Sequence, residues 1–446
     1  MKILLSQDLP FKPSKFPINY SWIILIVGIV GVLMSIPGQT MGVSVFTDYL
    51  IDALKIERIE LSNAYLIGTL SSAILLPSVG RLYDKYGSRL IAMAAALLLA
   101  ITLVLVSFSA QIANTISFYF FKEPSTIITF ATITGCFFLL RFSGQGVLTM
   151  VSRTMLMKWF VENRGFANGL SGVAVSFGFS IAPQVFNQMI EQSNWQQTLW
   201  QLAIVAICFI GFAFIFFRDN PTDANCKPDG GRPLFQTSNK KQSLPARDYT
   251  LKEAKGTFIF WIFVLTMALV GLYVTAITFH IADIFEKVGR SRTEAFAIFV
   301  PIAFVALFFH FFGSWVSDYV QLKHLLLLEL LAISLSTYAL INLATIPFCY
   351  YLLIFSNGMF SGLAGVLTNV SWPRFFGLKY LGAISGFAMS FNVAGSALGP
   401  AVFSFAEQYG GHNYDFACYA VLVISISLFC LGIRANNPNK SINQGG

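Results

Sequence analysis

Charged side chains are scarce in this sequence of 446 residues: 11% are Asp, Glu, Lys or Arg, whereas 56% are hydrophobic. The mean hydropathy is +0.68. A soluble domain carries roughly a quarter of charged residues. The scarcity excludes a soluble globular protein and indicates a chain that crosses a membrane many times.

Residues that build metal centres, disulfide frameworks and nucleotide sites are also few. The four histidines are scattered, and five of the six cysteines fall inside hydrophobic segments. No Gly-rich loop ending in Lys-Ser or Lys-Thr is present, so ATP is not the expected energy source. No nucleophile stands beside a base. We therefore expect no cofactor, no metal site and no enzymatic activity.

The hydrophobic residues fall into twelve stretches close to the ~20 residues that cross a bilayer as a helix. These stretches are continuously apolar and too long for alternating barrel strands. The sequence therefore predicts an all-α membrane protein, with transmembrane helices over 22–47, 61–80, 90–110, 131–157, 165–189, 199–217, 257–282, 294–315, 322–343, 347–371, 380–406 and 415–433.

The loops between these segments differ in charge from one side to the other. If the N-terminus is cytoplasmic, most of the 29 Lys and Arg residues fall on the cytoplasmic side. This bias follows the positive-inside rule and predicts that both termini are cytoplasmic. The net charge of +8 is then explained by anionic lipid headgroups, and we expect no nucleic-acid partner.

One long polar interruption, residues 219–255, divides the chain into two sets of six segments. Its proline, glycine and lysine content is typical of a linker. The predicted organisation is a cytoplasmic tail over 1–18, a six-helix bundle over 19–218, a cytoplasmic linker over 219–255, a second six-helix bundle over 256–434 and a cytoplasmic tail over 435–446.

The two sets of segments are related by an internal repeat. Residues 146–152 read Gly-Val-Leu-Thr-Met-Val-Ser, and residues 365–371 differ from them only at the fifth position. Glycine, proline, valine and phenylalanine positions between Gly165 and Phe186 recur between Gly382 and Phe403. The two offsets, 219 and 217 residues, agree closely, which indicates one parallel duplication. The sequence thus predicts two pseudo-repeated six-helix bundles.

The polar stretch between the second and third segments reads Gly-Arg-Leu-Tyr-Asp-Lys-Tyr-Gly-Ser-Arg over residues 80–89. Glycine lets helices approach closely, and the acid can accept hydrogen bonds from the amides at a helix N-terminus. The stretch resembles the signature loop of the major facilitator superfamily, and the resemblance implies an inner gate. Because Asp84 is echoed by Asp318, we predict gating roles for Gly80, Arg81, Asp84, Arg89 and Asp318. The repeat-related spacing also predicts a long outer loop over residues 114–126, in the first half alone.

A second motif, Arg141 followed by Gln145 and Gly146, resembles another superfamily motif. An ionisable residue at membrane depth is costly unless it faces a cavity or a partner. Together with Phe279-His280, near the end of the seventh predicted segment, this motif resembles the sequences of one branch of the superfamily. That branch contains monocarboxylate transporters and oxalate/formate antiporters. Members of that branch hold anions with two cationic side chains. The corresponding positions in this chain are His310 and Asn392, and neither carries a permanent positive charge. The resemblance therefore does not imply a small dicarboxylate as the substrate.

Other mid-membrane polar side chains complete the predicted substrate site. The first segment breaks at Pro37-Gly38, and irregular backbone at depth is tolerated where it is buried or lines water. Each buried amide could instead bond a neighbouring helix. The predicted substrate-binding residues are Gln39, Thr40, Arg141, Gln145, His280, His310, Asn357, Asn369 and Asn392; Glu329 receives no role.

These features predict a secondary transporter that works by alternating access. The substrate is a small organic solute, best a monocarboxylate-type anion, with a coupled proton or a counter-substrate as the further partner. A neutral or zwitterionic metabolite such as an amino acid or nucleoside, and a membrane sensor that does not transport, stay open. We expect a monomer in the lipid bilayer of a bacterial inner membrane.

Overall fold

The computed structural model describes residues 9–231, 247–409 and 414–435. Their regular secondary structure is helical, without strands. Eleven helices in these ranges are long and apolar enough to cross a membrane. The predicted all-α membrane fold is confirmed.

The N-terminal part of the chain forms nine α-helices and one π-helical segment, Arg141–Leu148, which joins α6 to α7. These helices are α1 (Tyr20–Leu33), α2 (Thr40–Ser44), α3 (Thr47–Leu54), α4 (Arg58–Ser107), α5 (Ser109–Phe121), α6 (Thr126–Leu140), α7 (Thr149–Trp159), α8 (Arg164–Gln192) and α9 (Trp195–Phe216).

Eight further α-helices follow in the described residues. They are α10 (Leu251–Lys255), α11 (Phe258–Lys287), α12 (Arg292–Ala297), α13 (Phe299–Ser317), α14 (Leu322–Ile341), α15 (Phe348–Phe376), α16 (Leu381–Tyr409) and α17 (Asp415–Arg434). Residues 232–246 of the predicted linker and nearly all of the predicted C-terminal tail lie outside the described residues.

The chain divides into two compact units. Unit 1 consists of Met1–Trp159, Ala174–Gly231 and Ser385–Ser390. Unit 2 consists of Phe160–Val173, Arg232–Ile384 and Phe391–Gly446. The first ten residues of α8 therefore belong to unit 2.

Helix α4 contains two of the twelve predicted segments. It runs for 50 residues and is interrupted only at Gly87, where φ is 79° and ψ is 172°. That left-handed φ favours glycine. The prediction of a loop over residues 80–89 is wrong, because residues 80–86 continue the helix and the chain turns at a single glycine.

The predicted long outer loop over residues 114–126 is also wrong. Helix α5 continues to Phe121, and its last residue is followed by Lys122 with a left-handed φ of 58°. The sequence of this helix end is polar and aromatic, and its rings are exposed: Phe118, Tyr119, Phe120 and Phe121. Aromatic side chains of this kind are enriched where a helix reaches the membrane–water interface.

The first spanning segment breaks in the middle, as the Pro-Gly pair predicts. Helix α1 ends at Leu33, a short 3₁₀ turn covers Ile36–Gly38, and α2 begins at Thr40. Proline cannot donate the backbone hydrogen bond that a continuing helix needs. The Gly38 carbonyl lies in the break between α1 and α2 and accepts a hydrogen bond from the Arg141 side chain.

A short N-terminal strap, residues 9–16, is fixed to unit 1 by two arginines. Arg89 Nη2 donates to the carbonyl of Leu9 at 2.9 Å. Arg218 Nη2 donates to the same carbonyl at 2.9 Å and to that of Phe11 at 3.2 Å. The Arg218 guanidinium also stacks 5.1 Å from the Phe11 ring centre. The strap is therefore part of the packed unit.

Candidate functional site

A buried arginine lies in unit 1, where the break after α1 meets the π-helical segment. Arg141 is 1% exposed, and its Nη1 donates to the Gly38 carbonyl at 3.1 Å and to Thr40 Oγ1 at 3.3 Å. Its guanidinium carbon lies 5.0 Å from the centre of the Tyr65 ring. Its Nε is buried without an acceptor, and no described carboxylate pairs with it. The protein therefore leaves this positive charge uncompensated.

Two glycines make this arrangement possible. A Cβ at Gly38 would lie 2.5 Å from the Leu140 carbonyl oxygen and 2.8 Å from the Gly144 Cα. No larger residue fits at such a distance without displacing backbone. The π-helical turn is wider than an α-helical one, and such turns are frequent at functional sites. The close approach brings the Gly38 carbonyl to Arg141.

A second set of polar side chains lies beside Arg141. Gln39 Nε2 donates to Ser35 Oγ at 2.9 Å and to Thr149 Oγ1 at 3.1 Å. Thr149 Oγ1 donates to Ser35 Oγ at 3.1 Å. Gln145 Oε1 is buried without a hydrogen-bond donor among the described residues. Four predicted site residues, Gln39, Thr40, Arg141 and Gln145, thus belong to the same part of unit 1.

In unit 2, His310 and Asn369 share a partner in the first turns of α8. His310 Nε2 lies 3.2 Å from the Asn168 carbonyl oxygen, and Asn369 Nδ2 donates to Asn168 Oδ1 at 2.9 Å. Asn168 Nδ2 in turn donates to Ser314 Oγ at 3.0 Å. These contacts join amides, a hydroxyl and an imidazole.

The imidazole of His310 is held in a slot made by two glycines. A Cβ at Gly172 would lie 1.8 Å from His310 Nε2, and a Cβ at Gly365 would lie 2.4 Å from Nδ1. The predicted His310 site therefore depends on both glycines. One of them, Gly365, begins the repeated sequence of the second half.

Two other predicted amides lie apart from this network and bond between helices of unit 2. Asn357 Nδ2 donates to Ser336 Oγ at 2.9 Å, and Ser336 Oγ lies 3.1 Å from Tyr273 OH. Asn392 Nδ2 donates to the Met267 carbonyl at 3.0 Å. Both amides satisfy their own burial in this way.

His280 belongs to a polar cluster near the end of α11. Its Nε2 lies 3.0 Å from the Pro400 carbonyl oxygen, and its Nδ1 lies 3.3 Å from Tyr414 OH. Tyr414 OH also donates to Asp283 Oδ2 at 2.6 Å. Lys287 pairs with Asp283 at 3.2 Å and, beyond it, with Glu407 at 2.6 Å. The structure therefore places His280 with charged residues rather than with His310.

The pKa values in this cluster follow from its hydrogen bonds. Burial alone would raise the pKa of Asp283, but the hydrogen bonds from Tyr414 and Lys287 outweigh burial and lower it. Burial and the neighbouring Asp283 carboxylate both raise the pKa of Tyr414. For Lys287, burial lowers the pKa, but hydrogen bonds to Glu407 and Asp283 outweigh it and raise it. The folded cluster therefore favours an ionised Asp283 beside a protonated Lys287.

Asp318, a predicted gating residue, is an acceptor at a helix N-terminus in unit 2. Its Oδ1 accepts from the Gly165 backbone N at 3.3 Å, and α8 begins at Arg164. Arg374, at the end of α15, forms a buried ion pair with Asp318 and donates to the Ser317 carbonyl. The acid thus joins the beginning of α8 to the end of α15.

The corresponding end of unit 1 contains a different buried pair. Lys158 Nζ lies 2.9 Å from Asp219 Oδ2, and the Ser88 backbone N donates to Asp219 Oδ1 at 3.1 Å. Lys158 also lies 4.5 Å from the centre of the Tyr83 ring. Asp84 itself is half-buried. The buried pair therefore uses an acid that follows α9 rather than the signature acid.

The other predicted gating residues surround this pair or pack beside it. Arg89 Nε donates to the Phe217 carbonyl at 3.2 Å, and exposed Arg81 donates to Ser78 Oγ at 3.1 Å. A Cβ at Gly386 would lie 3.2 Å from the Gly80 Cα. The backbone at Gly80 therefore packs closely against Gly386.

Sequence reasoning missed several residues that the structure places in these sites. Tyr65 is one of 16 tyrosines, and Arg374 has no basic counterpart in the repeat. Asn168 follows the Arg164-Gly165 pair, but nothing in the sequence connects it to His310. Thr149 is the exception, because its place in the repeated Gly-Val-Leu-Thr sequence is a signal that the sequence does contain.

The model of one protein family, the Major Facilitator Superfamily, matches residues 24–400. The chain belongs to the Major Facilitator Superfamily. Members of this superfamily bind small-molecule substrates, and the chain is a multi-pass membrane transporter. The finer assignment to the monocarboxylate branch is an interpretation of the motifs. A search of curated protein sequences finds no match.

Solved structures share the fold of this superfamily member at low sequence identity. One is the proton:xylose symporter XylE bound to 6-bromo-6-deoxy-D-glucose, at 15% identity and a TM-score of 0.64, covering 93% of this chain and 96% of that one. Another is a bacterial homologue of the iron transporter ferroportin in an outward-facing state with soaked iron, at 12% identity and a TM-score of 0.66. It covers 92% of this chain and 98% of that one. These likenesses show the fold alone.

Proposed function

We propose that this secondary transporter moves a small organic anion and that Arg141 binds its carboxylate. The observation that carries the proposal is the buried, uncompensated guanidinium, whose Nε has no acceptor among the described residues. A carboxylate would supply both the missing acceptor and the missing charge, and arginine presents donors in a geometry that matches it. Thr40 and Gln39 would contact the same ligand from the broken first segment.

A single anionic group fits the charges of the described residues better than two. The positions that carry two cations in oxalate/formate antiporters are His310 and Asn392 in this chain, and His310 lies in a network of amides and a hydroxyl. Neither His310 nor Asn392 carries a permanent positive charge that could hold a second carboxylate. A monocarboxylate-type solute is therefore the preferred substrate class.

The proposed transport cycle needs a gate that opens and closes. Asp318 bonds the first turn of α8 and pairs with Arg374 within unit 2. Asp84 is its repeat-related counterpart, and Gly80, Arg81 and Arg89 flank it. We assign these residues to the gate because contacts at helix ends can break without unfolding a helix. The remaining predicted side chains, His280, Asn357 and Asn392, contribute to interhelical packing in this arrangement.

The charge bias of the loops supports a cytoplasmic-membrane location with both termini inside. In that orientation the two bundles correspond to residues 19–218 and 256–434, joined by the linker over 219–255. We propose a monomer that couples movement of its anion to a proton or to a counter-substrate.

A neutral or zwitterionic solute is the second candidate. The observation that favours it is the network of Asn168, Ser314, Asn369 and His310, because amides and hydroxyls recognise hydroxyl and amino groups without charge. In that case Arg141 would be a structural residue held by Gly38 and Thr40.

Thermal unfolding of the purified protein with paired ligands separates the two candidates. Each carboxylate, for example lactate, acetate or pyruvate, is compared with its uncharged amide, and with sugars, amino acids and nucleosides. A ligand that binds the native state raises the melting temperature by mass action. We expect stabilisation by a carboxylate and none by its amide.

Uptake into proteoliposomes then tests transport of the stabilising ligand. Equal stabilisation by acid and amide would contradict the anion proposal and favour a neutral solute. Binding without any uptake would instead indicate a sensor.

A further inference from the structure

Three carboxylates are buried among the described residues, and one of them differs from the others. Asp219 is 7% exposed and pairs with Lys158, and Asp318 is 6% exposed and pairs with Arg374. Glu329 is 2% exposed and has neither a hydrogen-bond donor nor a cation within the described residues. The fold thus compensates two buried acids with bases and leaves the third without one.

Glu329 lies inside the membrane-spanning helix α14, on its buried face. The buried residues of α14 recur every three or four positions, and Ser336 follows Glu329 by two helical turns, about 10 Å along the axis. Ser336 bonds Asn357 of α15 and lies within hydrogen-bond distance of Tyr273 of α11. Glu329 therefore shares the face that carries the polar contacts between these helices.

Other ionisable groups on the helices packed against α14 do not compensate Glu329. In α13 and α15, His310 and Arg374 have the partners described above; in α11, Tyr273 bonds Ser336. In α17, Cys430 and Arg434 lie toward the C-terminal end and are exposed. Cys418 lies near the N-terminal end of the same helix and is buried. None forms a hydrogen bond or ion pair with Glu329.

An ionised carboxylate without a partner is costly to bury, whereas its protonated form is much less so. Ionisable side chains in this position mark proton pathways in membrane transporters. We propose that Glu329 is a proton-binding site of this protein, which holds a proton in the described conformation and releases it at another step of the transport cycle. A bound proton neutralises this buried carboxylate. Release of the proton during the cycle links transport to the pH gradient. The coupling of proton release to transport rests on the proposed transport function, whereas proton binding by Glu329 does not.

Infrared spectroscopy of the purified protein tests the proton site without a substrate. A protonated carboxyl group buried in protein gives a C=O stretching band separate from that of ionised carboxylates. We expect this band near neutral pH in the wild type and in the matched control Glu407→Gln, and its loss in Glu329→Gln. Glu407 is half-buried and already paired with Lys287. If the band is absent from the wild type, or survives in Glu329→Gln, the proposal is wrong.

Proteoliposome assays with radiolabelled lactate test the coupling. In Glu329→Gln we expect lactate exchange at equal pH within about twofold of the wild type, but at least tenfold less accumulation driven by an imposed pH gradient. Full gradient-driven accumulation in Glu329→Gln would overturn the coupling. If the wild type moves none of lactate, acetate and pyruvate, the monocarboxylate proposal fails, and the infrared result alone decides whether Glu329 binds a proton.

Discussion

The repeat-related helices that carry Arg141 and Arg374 differ in one buried basic residue in the middle of the span. In the repeat that aligns Gly146 with Gly365, Arg141 of unit 1 corresponds to Phe360 of unit 2. Phe360 is buried against Tyr273, with ring centres 5.7 Å apart. Arg374 of unit 2 corresponds in turn to Met155, also buried.

This difference teaches how a duplicated fold becomes asymmetric. Unit 1 has an uncompensated cation in the middle of the spanning segment, which suits a ligand. Both units have a buried base at the end of this helix, Lys158 paired with Asp219 and Arg374 paired with Asp318. The two repeat-related helices therefore share a buried ion pair at the end and differ in the middle of the span.

The largest expected effect comes from breaking the buried pair of unit 2. Asp318→Asn leaves the Arg374 guanidinium buried without its counter-charge, which costs about 3–5 kcal/mol of unfolding free energy. The double variant Asp318→Asn with Arg374→Met removes both charges and recovers most of this loss. Denaturant unfolding in detergent, followed by tryptophan fluorescence, measures both values.

The buried pair of unit 1 provides the comparison for that experiment. Asp219→Asn, alone and with Lys158→Met, should show the same pattern because its ion pair is buried to a similar extent. Simple additivity of the two single losses in either unit would show that the partners do not interact energetically.

The second effect concerns the cation that the protein does not compensate. Arg141→Gln should weaken binding of the anionic substrate by about 100-fold or more, because a buried charge pair loses 2–5 kcal/mol when one partner is removed. Titration calorimetry with the best carboxylate of the thermal screen measures the change.

The control is Arg218→Gln in the same unit. Arg218 is also buried and also bonds carbonyls and stacks on rings, but it holds the N-terminal strap. Its affinity for the substrate should stay within about twofold of the wild type. Unchanged affinity in Arg141→Gln would show that Arg141 is structural.

A third, smaller effect separates the gate from the binding site. Asp84→Asn should slow transport roughly tenfold, which corresponds to about 1.4 kcal/mol, with substrate affinity nearly unchanged. Initial uptake rates and equilibrium binding on the same preparation distinguish the two. Wild-type velocity in Asp84→Asn would remove this residue from the gate.

The smallest effect is a pH dependence of the cluster at the end of α11. The pKa of Asp283 is lowered in the folded protein, so its contribution is present above its ordinary pKa and is lost as the pH falls through the lowered value. The exposed side chain limits this contribution to less than about 1 kcal/mol. The melting-temperature difference between the wild type and Asp283→Asn should therefore shrink on acidification. A difference that stays constant to low pH would contradict this.

The sequence predicts the spanning helices well because hydrophobic length and composition are local properties. Two errors arose where polar residues suggested a loop. Residues 80–86 and most of 114–126 are helical, since a helix continues through polar sequence when its backbone bonds are satisfied. The chain turns only at Gly87 in the first stretch and after Phe121 in the second.

Pairing across helices is harder to predict from one sequence. Arg141 and Asp318 were visible because charge in an apolar segment and a repeated acid are sequence signals. Tyr65, Asn168 and Arg374 were not, because their roles depend on which helices meet and at what height. The missing base at Glu329 was likewise invisible, since the absence of a partner is a property of packing.

The N-terminal strap has a practical consequence for handling the protein. Arg89 and Arg218 both bond the backbone carbonyl of Leu9, so deletion of Leu9–Phe11 would leave two guanidinium groups without these acceptors. An affinity tag or fluorescent fusion is therefore better joined upstream of Leu9 than at a start site within the strap. A shortened chain would show this as lower recovery of monodisperse protein from the membrane, whatever its activity.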